Sequence, residues 1–145
     1  KPDVEMNQII SAIERDTAES SQLLVYNSRN YEVKINSIEY QSEYGQFYSP
    51  EENHEYISLD IFMKNQTSNI QPVSYMAFKI KDEKGFTYTP ELLEIKSPQF
   101  PSFEKLDPQD KARGWVTFEI PESAKNLVLE YSNFQENFKI QLPSL

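Results

Sequence analysis

A chain of 145 residues has the length of a single domain and can bury a core of its own, and with no cysteine it has no disulfide, thiolate metal centre or cysteine nucleophile. Its formal net charge of -9 excludes the basic surface that phosphate backbones and anionic lipid headgroups require, so neither nucleic acid nor a bare membrane surface is an expected partner. Nine tyrosines and nine phenylalanines favour pleated, half-buried surfaces over helices, and the expected class is all-β.

Taken in chain order, the first element is the exception. Met6, Ile9, Ile10 and Ile13 recur at spacings of three and four, which predicts a short N-terminal helix over 3–14 with Asp3 as N-cap. Residues 16–22 are polar and read as a linker, so 1–22 is an N-terminal helix and tether, and 23–145 is the β domain. A short strand over 23–26 is followed by a longer one in which Tyr31, Val33 and Ile35 alternate with polar residues. Ile38 and Tyr40 then continue the pattern out of phase, which predicts a β-bulge near Asn36 and Ser37.

The stretch 41–55 is irregular and acidic, with Glu43, Glu51, Glu52 and Glu55 around the sole histidine, His54. One histidine and scattered glutamates have no recognised ligand spacing, so the reading is a solvated loop with no metal and no cofactor. Residues 56–64 form the strongest strand, with Ile57, Leu59, Ile61 and Met63 inward and Ser58, Asp60 and Lys64 on the opposite face. Asn65-Gln66-Thr67 in the following turn matches the N-glycosylation acceptor pattern, a short motif that often occurs by chance. The strand over 73–81 puts Met76, Phe78 and Ile80 inward, and Gly85 suits the turn after it.

Pro90, Pro98 and Pro101 make 91–105 a crossing connection rather than a ladder strand, in which Leu92, Leu93 and Ile95 form one helical turn plugging an end of the domain. Asp107-Pro108 then opens a turn into a central strand with Val116, Phe118 and Ile120 inward and Trp115, Thr117 and Glu119 outward. Trp115, beside Gly114, is expected at the edge and partly exposed. Leu127, Leu129 and Tyr131, then Phe138, Ile140 and Leu142, supply the last strands. Seven or eight strands without a βαβ repeat specify an immunoglobulin-like antiparallel two-sheet β-sandwich.

Three blocks carry a family resemblance: Tyr-Ile-Ser-Leu-Asp-Ile-Phe-Met-Lys-Asn over 56–65, Phe-Lys-Ile-Lys-Asp-Glu-Lys-Gly over 78–85, and the turn and strand over 106–121 with Arg-Gly-Trp-Val-Thr-Phe-Glu-Ile-Pro. Together they resemble an uncharacterised domain family, similar to the mycobacterial immunoprotective secreted antigen, that is widespread in Gram-positive lipoproteins and secreted proteins. The resemblance covers about 31–142. It implies an immunoglobulin-like sandwich on the outer face of the cell membrane, held by a lipidated cysteine upstream of Lys1. In one respect the chain departs from the family pattern: Gln109-Asp110 follows Pro108 where the family has a glycine. The matched blocks are strand and turn residues and transfer no catalytic residue.

The resulting expectation is a non-enzymatic extracytoplasmic lipoprotein domain, an interaction or structural module whose partner is a protein or a cell-wall component. The alternative is a small-ligand or carbohydrate-binding module using exposed aromatics, with Tyr44, Phe47 and Tyr48 of the acidic loop and Phe100 and Phe103 of the proline-rich connection as its contact residues. Catalysis is not expected. With a single histidine, no Gly-x-Ser-x-Gly elbow and glycines only at Gly45, Gly85 and Gly114, the chain offers only paired carboxylates for acid–base work.

Overall fold

The strongest alternating stretches of the sequence become the centre of the larger sheet. A computed structural model describes residues 19–20, 23–42 and 49–143, so the expected helix over 3–14 and the aromatics Tyr44, Phe47 and Tyr48 lie outside the described residues. Strand β3 (Tyr31–Gln41) pairs with β4 (His54–Asn65), and β4 with β9 (Lys111–Pro121). Two short strands, β1 (Glu19–Ser20) and β2 (Leu24–Asn27), share the far edge of β3. The first falls inside the stretch expected to be linker. A second sheet runs β11 (Asn137–Gln141), β10 (Val128–Ser132), β6 (Phe78–Lys81) and β7 (Thr87–Tyr88), and a separate ribbon joins β5 (Gln71–Val73) to β8 (Glu104–Leu106). The β8 strand corrects the expectation of a ladder-free connection over 91–105. All of these pairings are antiparallel.

The two sheets face one another across a single core. Val33, Ile35, Leu59, Ile61, Val116 and Phe118 of the first meet Phe78, Ile80, Leu129 and Tyr131 of the second, all at 1% exposure or less. Rings bridge the gap, with Tyr31 edge-on to Tyr131 at 5.8 Å and Tyr26 stacked on Phe138 at 5.5 Å. The register of β3 on β4 shifts between Ile35 and Ser37, placing the bulge where the change of phase predicts it. Met76 departs from the expected inward face. It sits in a 3-10 turn (Tyr75–Ala77) capped by the Ser74 hydroxyl and is 49% exposed.

Polar side chains hold the turns. Asp82 accepts hydrogen bonds from the Lys84 and Phe86 amides at 2.9 and 3.0 Å and from the Tyr88 hydroxyl at 2.8 Å. Burial pushes the Asp82 carboxyl up, but these donors outweigh it and leave it below the usual carboxylate range, while Tyr88 is pushed up to about 12 by burial and by its bond to Asp82. Asn65, fully buried, gives its amide nitrogen to the carbonyls of Asn69 and Leu106 and takes hydrogen bonds from the amide and hydroxyl of Thr67. The Asn65-Gln66-Thr67 acceptor pattern is therefore a structural clamp, its nitrogen closed to glycan transfer. Gln109 occupies the left-handed region at φ 71 and donates its amide to the Asn65 carbonyl.

The free edge of β9 is closed by irregular backbone. Glu91 donates its amide to Thr117, Trp115 donates to Pro98, and Phe100 donates to Trp115, each at 2.8 to 3.0 Å. This brings the chain so close that a Cβ on Gly114 would lie 2.4 Å from the Phe100 nitrogen. Phe100 then enters the core edge-on to Phe78. Gly114→Ala therefore drives a methyl into backbone that cannot yield, and the expected loss is about 3 kcal/mol by chemical denaturation.

The inner and outer faces of β9 differ less in exposure than the alternation implies. Phe118 is fully buried as expected, but Thr117 is 6% exposed on the outer face, its hydroxyl 2.7 Å from that of Ser58. Phe118→Ala should cost about 3–5 kcal/mol from the cavity it leaves, and Thr117→Ala about 1–2 kcal/mol from the lost hydroxyl pair. A Thr117 loss matching that of Phe118 in denaturant titrations would contradict the assigned faces.

Candidate functional site

The outer face of the β3–β4–β9 sheet carries charged and polar side chains that the fold removes from water. Ser58, Asp60, Thr117 and Glu39 are buried there, although simple alternation would leave them in solvent. The loop over 91–98 borders this face. It leaves the edge of β9 at Thr117 and returns at Trp115, with Leu92, Leu93 and Ile95 in bends rather than the expected helical plug. Lys96 extends from this loop across the sheet, its Nζ 4.0 Å from the Trp115 ring centroid and paired with the Glu39 carboxylate on β3. Beside it, Arg113 makes a two-point contact with Asp60 at 2.8 and 3.2 Å, and this bond and the Asp60 charge raise the guanidinium's already high pKa.

Cross-strand register explains the order of the face. Glu39 lies opposite Ser58 and Ser58 opposite Thr117, while Asp60 lies opposite Trp115. Hydroxyls therefore meet hydroxyls, and each carboxylate has a cation within reach. Leu92 and Leu93 project from the loop at 69% and 65% exposure. A loop held at both ends by backbone bonds and in the middle by an ion pair thus presents two adjacent leucines to solvent.

Next to this belt the fold brings together three residues that are far apart in sequence. Oxygens of Glu51 and Glu119 and a ring nitrogen of His54 all lie within 4.8 Å of one another. Glu119 follows Thr117 on the outward side of β9, His54 opens β4 opposite Pro121, and the Glu51 amide donates to a Glu119 carboxylate oxygen at 3.1 Å. Nδ1 of His54 lies 3.0 Å from the Glu52 carbonyl, and because a carbonyl only accepts, Nδ1 carries the proton. Nε2 lies 3.9 Å from the Glu51 carboxylate. Glu91 stands near, its carboxyl pushed above the ordinary range by burial and then by the Glu119 charge. The sequence has no spacing that announces this cluster, since it exists only through the pairing of β4 with β9.

The aromatic residues expected as a contact surface do not form a pair. Phe100 is in the core at 1% exposure, because the close contact at Gly114 draws it inward, whereas Phe103 is 62% exposed.

A family model described as Domain of unknown function (DUF4352) matches residues 25–140. No curated protein matches the chain. Among solved structures, the chain is similar to a candidate lipoprotein (ycdA) from Bacillus subtilis, at 16% identity and a TM-score of 0.65, covering 81% of this chain but only 38% of that one. The yjhA protein from Bacillus subtilis aligns at 13% identity and a TM-score of 0.59, covering 82% of this chain and 96% of that one. A secreted protein from Mycobacterium tuberculosis, MPT63, aligns at 8% identity and a TM-score of 0.54, covering 83% and 92% of the two chains. At these identities the likeness is one of fold.

The belt generates its own test. Lys96→Ala removes a cation from beside the Glu39 carboxylate and uncovers Trp115. The expected result is a loss of about 2 kcal/mol, smaller than for a fully buried pair because Lys96 keeps partial contact with solvent, together with a red shift of tryptophan emission. Unchanged emission would show that Lys96 does not cover the ring.

Proposed function

The chain belongs to the Domain of unknown function (DUF4352) family, and from that premise we propose that it is an immunoglobulin-like, non-enzymatic domain of the outer cell envelope that binds a protein or wall component through its pinned 91–98 loop. The observation that carries this reading is the exposed pair Leu92 and Leu93 on a loop fastened by backbone bonds to β9 and by Lys96 to Glu39. Exposed apolar side chains held in place lose little freedom on binding, which favours affinity. Loops on a rigid sandwich are where such domains place their contacts. A lipid anchor upstream of Lys1 would hold the domain at the membrane surface, a location the fold likeness of this chain to a candidate lipoprotein and a secreted protein favours.

The polar side chains fit a non-catalytic role. Ser58 pairs with Thr117, Asp60 with Arg113 and Glu39 with Lys96, so each is engaged in holding the sheet or its covering loop.

Two measurements test the proposal. The natural gene product should take up labelled palmitate and fractionate with membranes; a soluble, unlabelled cytosolic product would refute the location. The domain should co-sediment with isolated cell envelopes, and Leu92→Ser with Leu93→Ser should reduce that binding at least tenfold without lowering stability. Equal binding by the double variant would remove the leucines from the contact, and failure of the wild-type domain to bind envelopes would overturn the interaction reading.

A further inference from the structure

We propose that Glu51, His54 and Glu119 form a surface site for a divalent first-row transition ion, for which zinc is the probe of choice. The site is separate from the leucine surface, and the functional reading above makes no use of it.

Backbone placement comes first. Tyr56 pairs with Glu119 and His54 with Pro121, so the antiparallel register sets the histidine and the glutamate on one rim of the sheet. The turn that supplies Glu51 is tied to the same rim: the His54 amide donates to the Glu51 carbonyl at 3.0 Å, and the Glu122 amide to the Asn53 carbonyl at 2.9 Å. Ligands on two strands and a tied turn need no large rearrangement to converge. Their donor atoms now lie within 4.8 Å of one another, and metal–ligand bonds of about 2.0–2.2 Å require them to draw in by roughly 1 Å. The Glu51 side chain, 79% exposed, is free to swing that far.

The orientation of His54 suits a ligating imidazole. Its Nδ1 proton is directed to the Glu52 carbonyl, the outer-shell arrangement that fixes the tautomer and orients the other nitrogen of a ligating imidazole. Nε2 makes no hydrogen bond among the described residues; its nearest charged neighbour is Glu51 Oε2 at 3.9 Å, beyond hydrogen-bond distance. In the tautomer with its proton on Nδ1, the ring offers Nε2 beside the Glu51 carboxylate, and a cation seated there meets nitrogen and oxygen donors together. The net charge of -9 adds a general attraction for cations.

The donor set selects the ion. Calcium and magnesium favour all-oxygen shells, whereas an imidazole nitrogen with two carboxylates suits zinc, manganese, cobalt, nickel or copper. Three protein ligands on an exposed rim leave at least one coordination position to water or to an incoming ligand.

Isothermal titration of zinc chloride into chelator-treated full chain, with calcium chloride in parallel, tests the assignment. The expected result is one zinc per chain at micromolar affinity, without competition from millimolar calcium. His54→Ala and Glu119→Gln should each weaken it at least tenfold. Glu51→Gln alters only a solvent-exposed side chain, so a further loss of about threefold or more there cannot come from unfolding. Wild-type affinity weaker than millimolar would overturn the site, leaving the cluster as a hydrogen-bonded turn. Zinc binding that survives His54→Ala undiminished would equally overturn it, because the ion would then sit elsewhere.

Discussion

At Gly114 the backbone of 99–100 lies against β9 with no room for a side chain, the closest approach being 2.4 Å between an ideal Cβ and the Phe100 nitrogen. The bonds joining Trp115 to Pro98 and to Phe100 form only because of this closeness. Two consequences run in opposite directions from the same contact. Inward, Phe100 is delivered to the core against Phe78. Outward, the loop over 91–98 must pass above the sheet, and its Lys96 reaches Glu39 on β3 across the intervening strand. The edge of β9, which would otherwise offer unpaired amides to another chain, is occupied by the protein's own backbone.

The partners gathered on the outer face explain why the burial of its polar residues is tolerated. A carboxylate taken out of water is strongly destabilised unless a cation and donors meet it. Glu39 has Lys96 and the Gln41 amide, Asp60 has a two-point contact from Arg113, and Ser58 has the Thr117 hydroxyl. The arrangement is specific, since a one-residue slip of β4 on β9 would break the hydroxyl pair and part Asp60 from Arg113 while turning Ile57 and Leu59 outward.

The sheets were legible because their signal is local. Period-two alternation located β4 and β9, the phase change at Ile38 located the bulge, and Gly85 located a hairpin, each from a few neighbouring residues. The same alternation set Ser58, Asp60 and Thr117 on the outward face, where the register places them, but it carried no sign that this face is buried. Phe100 and Phe103 stand close in sequence yet have opposite fates, decided by a glycine on another strand. The match of Asn65-Gln66-Thr67 to the acceptor pattern carried no structural information, and its asparagine closes a turn through four hydrogen bonds. The acidic cluster was illegible for a related reason, since Glu119 joins His54 only when β4 and β9 pair in one register.

The two outward features meet at a single residue. Glu91 donates its amide to the Thr117 carbonyl and so begins the loop that carries Leu92 and Leu93, while its carboxyl, raised by burial and by the charge of Glu119, borders the histidine cluster. One strand thus sets both features: Thr117 and Glu119 are successive outward residues of β9, the first anchoring the loop that bears the leucines and the second belonging to the histidine cluster.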